Sequence, residues 1–168
     1  MKSAGILVYR RRGAGLEIFL VHPGGPFWAK KDLAAWSIPK GEFGDDEDPL
    51  EAALREFAEE IGQTIEGDFI ALTPVKQKSR KIVHAFAVEG DVDPNRIVSN
   101  EFELEWPPRS GRTQRFPEVD RAAWFSLAEA KQRVNAGLVP LLDELAEKLG
   151  LPFSRNAGEG GAGEARDG

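Results

Sequence analysis

GEFGDDEDPLEAALREFAEEIG, residues 41 to 62, decides how the chain is read. Asp48, Pro49 and Glu51 stand in the order of an N-cap, a first-turn proline and the third residue of a capping box, so a helix is predicted to start here. Leu50, Leu54, Phe57 and Ile61 recur at helical spacing and give it a buried stripe. Gly62 can end it in a left-handed turn. On such a helix Glu56, Glu59 and Glu60 lie three and four residues apart, and three carboxylates crowd one face.

Like charges at that spacing repel by a few tenths of a kcal/mol per pair, so a cation is wanted nearby. Arg55 supplies part of it. Oxygen ligands without His or Cys point to Mg2+ or Mn2+ rather than zinc, and Mg2+ commonly bridges protein carboxylates and substrate phosphates. The competing reading is a solvated acidic helix face.

By position the stretch gives Gly41, five residues, Glu47, seven residues, Arg55-Glu56, the apolar Phe57, one residue, Glu59-Glu60, one residue and Gly62. It resembles the Nudix box, GX5EX7REUXEEXGU with U apolar, and these fixed offsets favour the metal site over the solvated face. WSIPKGE, residues 36 to 42, is similar to the entry to that box. There a glycine allows close backbone approach to metal and phosphate. One departure is Gln63, where the pattern asks for an apolar residue. It falls outside the carboxylate face, so a local packing difference is expected.

The resemblance implies the Nudix fold, a mixed sheet between helices with the box as loop, helix, loop; periodicity alone reaches only a mixed α/β or α+β domain. The domain is expected over residues 1–153. The implied activity is Mg2+-dependent (or Mn2+-dependent) hydrolysis of a phosphoanhydride in a nucleoside diphosphate linked to another moiety. Gly41, Glu56, Glu59 and Glu60 are then the metal site, and Glu56 or Glu118 is the base that deprotonates water. Glu47 and Arg55 mainly hold loop and helix together, with Arg55 counted among the catalytic residues. Dinucleoside polyphosphates are the first substrate expected; nucleoside triphosphates and nucleotide sugars come next. A Nudix-like module that binds a nucleotide without turnover is the reading from another class, and a structural interaction protein using its acidic helix is a third.

The composition fits one domain: 168 residues, 41% hydrophobic and 30% charged, leave room for a sizeable core and none for a second domain. A net charge of −6 argues against holding nucleic acid by bulk electrostatics. With no cysteine there is neither disulfide nor thiol catalysis. No apolar run approaches a membrane span and no signal peptide is evident, so a cytoplasmic protein, monomer or homodimer, is expected.

Along the chain, residues 4–10 and 16–22 are predicted strands around a Gly turn, followed by a loop at Pro23-Gly24-Gly25-Pro26. Phe27, Trp28, Lys30 and Lys31 on that loop could hold a base or a polyphosphate, or simply pack. Residues 36–39 read as a short strand leading to Lys40, a candidate phosphate contact or a solvated lysine. Residues 68–75 and 81–88 are predicted strands. If the chain is extended from Lys76 on, Lys76, Lys78, Arg80, His84 and Phe86 share one face, as a substrate-binding strip or a charged sheet edge. Residues 101–106 alternate as a strand, and Arg109, Arg112 and Arg115 are expected on a mobile basic loop before Glu118 that gates or contacts ligand, with Arg109 and Arg112 counted as substrate-binding. Residues 122–126 read as a late strand and 126–134 and 139–149 as helices. The Gly-rich tail, residues 154–168, is expected to be disordered.

Overall fold

The computed structural model describes residues 1–13 and 15–151, so the expected end of the domain at 153 and the tail beyond it lie outside the described residues. Among the described residues the chain forms a seven-stranded mixed sheet, a two-stranded ribbon and three α-helices. The first two strands, β1 (Lys2–Arg12) and β2 (Gly15–Pro23), make the expected antiparallel hairpin. β3 (Lys40–Glu42) runs antiparallel to the start of β1, with Gly41 opposite Ala4. Then come α1 (Pro49–Ile61), β4 (Ile70–Ala71), β5 (Val75–Lys76) and β6 (Ile82–Glu89), and β6 pairs in parallel with β1. The ribbon is β7 (Glu101–Glu105) with β8 (Thr113–Pro117). β9 (Val119–Ser126) closes the sheet beside β2, and α2 (Leu127–Arg133) and α3 (Val139–Lys148) complete the chain.

Alternation along the central strands builds two cores. Ala4, Ile6, Val8, Phe19 and Val21 face α1 and meet its Ala52, Ala53, Phe57 and Ile61. Leu7, Tyr9, Ile18 and Leu20 face the other way, onto Leu127, Ala130, Leu141, Leu142 and Leu145 of α2 and α3. The sheet is therefore sandwiched between helices, as expected. None of the helices among the described residues is long and apolar enough to cross a membrane.

The box helix begins and ends as its sequence requires. Asp48 accepts from the Glu51 N–H at 3.0 Å, and Gly62 at φ 75° donates back to the Ala58 carbonyl at 2.9 Å. Gln63 has its own use. Its amide nitrogen donates to the carbonyls of Asp93 and Arg96, and its oxygen accepts from the Asp93 N–H, so it sews the turn-rich 91–97 segment to the end of α1.

Three expectations are corrected. Residues 68–75 are not one strand: Pro74 has no N–H to give a ladder, and only Ile70–Ala71 and Val75–Lys76 pair with β6. Residues 36–39 form isolated bridges, and the strand begins at Lys40. The chain is not extended from Lys76: the Gln77 N–H donates to the Lys81 carbonyl, the Arg80 N–H to Gln77, and Arg80 adopts φ 73°. Lys78 and Arg80 therefore sit on a tight turn, with Lys76 at the end of β5 just before it, rather than all three along one face of a strand.

Candidate active site

The carboxylates come together at one end of the sheet. α1 lies across β1 and β3 and brings Glu56 onto the Gly41 backbone, so closely that a Cβ on Gly41 would collide with the Glu56 carboxyl group. Glycine is required there for space. One turn later Glu60 is 8% exposed, and the Lys40 backbone N–H donates to it. Glu59, between them, is exposed. Glu118 arrives from the other side of the fold, in the single-residue gap between β8 and β9. A relay of backbone hydrogen bonds holds it: the Asn100 N–H donates to the Glu59 carbonyl at 3.1 Å, the Glu118 N–H to the Asn100 carbonyl at 2.8 Å, and the Gly24 N–H to the Glu118 carbonyl at 3.0 Å.

Electrostatics registers the crowding. Burial pushes Glu60 up to about 8, with the charges of Glu118 and Glu56 adding to it and Lys40 opposing. Glu118 is raised too, by partial desolvation first and then by Glu56 and Glu59. Lys40 is lowered by burial and by neighbouring Lys81, against the pull of Glu60 and Glu42. The negative charge of the cluster is thus incompletely compensated by the protein.

Glu47 and Arg55 brace the loop. Glu47 accepts the Gly44 N–H at 3.0 Å and pairs with the Arg55 guanidinium, which also donates to Glu56 at 3.1 Å. Arg55 thus links the Glu47 and Glu56 carboxylates.

The fit to a divalent cation rests on the donor set. Glu56, Glu59, Glu60 and Glu118 are hard oxygen donors, two of them, Glu60 and Glu118, raised in pKa by burial and by the neighbouring carboxylates, and Gly41 leaves the Glu56 carboxyl room against the backbone. Among the described residues no three Asp, Glu or His side chains are already drawn into a ready-made ligand cage.

The basic residues divide. Lys40 borders the cluster, and so does Lys81, which pairs with Glu42 at 3.3 Å and depresses Lys40. Lys81 was missed in the sequence because the extended reading from Lys76 turned it to the opposite face. The ladder partner of Lys76 is Ile82, at the same end of the sheet, and the turn with Lys78 and Arg80 projects from there. Arg115 is no loop residue: it lies on β8 and bonds Glu101 and Glu103 across the ribbon. Arg109 and Arg112 are on the connecting turn beyond the Glu105–Thr113 pair, which is itself four register steps, or about 13 Å, from the Glu101–Pro117 pair beside Glu118.

Comparison with known proteins agrees with this geometry. The family model described as the NUDIX domain matches residues 1–145. The chain belongs to the Nudix family. It is 32% identical over 124 residues to Nudix hydrolase 21, chloroplastic, of Arabidopsis thaliana, covering 73% of this chain. It spans about half, 52%, of the length of that relative. Its fold is similar to an Ap4A hydrolase binary complex from C. elegans, with a TM-score of 0.60, 19% identity, and 88% of this chain and 98% of the other covered. It is similar also to the Nudix domain of Shewanella oneidensis NrtR complexed with ADP ribose, with a TM-score of 0.58, 18% identity, and 89% and 88% covered.

Proposed function

We propose that this Nudix chain is a pyrophosphohydrolase that uses Mg2+ or Mn2+ to cleave a phosphoanhydride bond in a nucleoside diphosphate linked to another moiety. The observation that carries the reading is the convergence of Glu56 and Glu60 from α1 with Glu118 from the β8–β9 junction, where the protein compensates their charge only in part. Glu56, Glu59 and Glu60, with the backbone at Gly41, would hold the cation. When bound, the cation supplies charge neutralisation on the phosphate oxygens. Glu118 would accept the proton of the attacking water, a role supported by its backbone ties to both α1 and the β2 loop. Glu56 has the competing claim, but its carboxyl already accepts from Arg55 and rests on Gly41.

Lys40, with its ammonium in no ion pair among the described residues, is available to a phosphate, and Lys81 beside it adds a second charge. Lys76 at the end of β5, and Lys78 and Arg80 on the turn that follows it, extend this positive edge. Such an edge suits a long phosphate chain, which keeps dinucleoside polyphosphates first, ahead of nucleoside triphosphates and nucleotide sugars. The test is product analysis with diadenosine polyphosphates, nucleoside triphosphates and nucleotide sugars, with and without Mg2+. Mg2+-dependent mononucleotide formation supports the reading. Nucleotide binding with no product under any metal would replace it with a sensing module.

A further inference from the structure

The loop after β2 and the far end of the β7–β8 ribbon bring together an exposed aromatic ring, Phe27, and a half-buried one, Trp106. Phe27 is 60% exposed, and its ring meets Trp106 edge to face at 5.3 Å between centroids. That arrangement leaves broad ring surface free to stack. The interior tryptophans spend their donors inside the fold, Trp36 on Asp32 and Trp124 on the Val92 carbonyl. The Trp106 indole N–H has no partner among the described residues.

Both segments are held in place. The loop is fixed at its start by the Gly24 N–H on the Glu118 carbonyl. At its far end buried His22 lies 2.7 Å from the Lys31 carbonyl and 2.9 Å from Asp120, and Asp32 is gripped by Arg133. Gly24 and Gly25 press against Pro117 and the Phe102 ring with no space for a Cβ. Phe27 is three residues from Gly24, so its Cα lies within about 11 Å of the residue bonded to Glu118. Arg109 and Arg112, just beyond Trp106, form no ion pair among the described residues. An exposed ring against a half-buried one on a fixed mount, with carboxylates at one end and guanidinium groups outside any ion pair at the other, suits a planar base attached to phosphates.

We propose that Phe27 and Trp106 form the docking site for the substrate's nucleobase and so determine the preference for nucleotides over base-free phosphoanhydrides. This rests on the reading of the chain as a nucleotide hydrolase, and two measurements separate the failures. The first is quenching of tryptophan fluorescence by AMP and GMP in the metal-free protein, for the wild type, Phe27→Ala and Phe27→Tyr. The second is steady-state kinetics with ATP and with inorganic tripolyphosphate for the wild type, Phe27→Ala, Trp106→Ala and Phe27→Tyr.

The expected result is saturable quenching in the wild type that weakens about tenfold in Phe27→Ala and returns in Phe27→Tyr. KM for ATP should rise by a similar factor in both alanine variants with kcat nearly kept, while tripolyphosphate kinetics stay unchanged. If the wild type hydrolyses neither compound, nor any diadenosine polyphosphate or nucleotide sugar, but quenching behaves as stated, the base site stands and the hydrolase reading falls. No quenching in the wild type, equal affinity in Phe27→Ala, or equal KM changes for ATP and tripolyphosphate would overturn the proposal. The rings would then be a brace between loop and ribbon, visible only as a lower melting temperature.

Discussion

Gly41 and Glu56 compete for one space: a Cβ on the glycine would overlap all three atoms of the glutamate's carboxyl group. The obstructing atoms end a flexible side chain, so alanine here should swing the carboxylate aside rather than break the sheet. Gly41→Ala is therefore expected to fold, with a melting temperature within a few degrees of the wild type, and to lose about a hundredfold in kcat because a cation ligand has moved by an ångström or more. Activity near wild type would mean that the position of Glu56 does not matter to turnover.

Glu60 gives a pH signature in the metal-free protein. Its folded pKa of about 8 lies above the unfolded value of 4.5, so between these pH values the unfolded chain has released a proton that the folded chain still holds. Stability must therefore fall as pH rises through this window, by up to about 1.4 kcal/mol per pH unit, and level off above 8. Glu60→Gln cannot ionise and should not show that component. Denaturation of both proteins from pH 5 to 9 in chelator measures the difference, and parallel curves would refute it. Added Mg2+ should flatten the wild-type decline and leave the variant unaffected.

How far the sequence could be read depended on the range of the interaction. Caps, a proline at the first helical position and apolar spacing are local, so α1 was legible from Asp48 to Gly62, as were the β1–β2 hairpin and the helices after Ser126. Arg115 was not, because its partners Glu101 and Glu103 are 12 to 14 residues away and become neighbours only once the ribbon pairs. The turn at Lys78 contains neither Gly nor Pro, and Arg80 takes the left-handed conformation without the usual residue for it. Glu118 could be suspected from the family pattern, but its link through Asn100 to Glu59 exists only in three dimensions.

Gln63 tests a structural departure from the family pattern. Its three hydrogen bonds to the 91–97 segment should be lost in Gln63→Leu, which restores the apolar residue of the motif. A loss of about 1–3 kcal/mol is expected, with faster amide exchange in residues 91–97 and kcat nearly unchanged. Greater stability in the leucine variant would show that the side-chain amide is not needed to hold that segment.

Positive charge at the sheet end bears on substrate length. Replacing Lys76 and Lys78 together with alanine should raise KM more for diadenosine tetraphosphate than for a nucleotide sugar, while kcat changes less, because binding common to ground and transition states is removed. The measurement is kcat and KM for both substrates in wild type and variant. Equal changes would mean that the turn at residues 77–80 is only a solvated edge, and the ranking of dinucleoside polyphosphates would lose its support.

Glu118 and Glu56 can be separated as bases by their response to pH. An ionised base is required, and Glu118 is held above the ordinary glutamate range by desolvation and by the charges of Glu56 and Glu59. At low Mg2+ the acid limb of kcat/KM should therefore report a raised pKa. That limb should move to lower pH as Mg2+ increases, because a cation on Glu56 and Glu59 removes part of the repulsion. Glu118→Gln should cost about 10²- to 10⁴-fold in kcat with little change in KM and should abolish the limb. Glu56→Gln should instead weaken the Mg2+ dependence of the rate while leaving the limb in place. If the limb persists in Glu118→Gln and vanishes in Glu56→Gln, the base is on α1, and the relay from Glu59 through Asn100 to Glu118 is scaffolding alone.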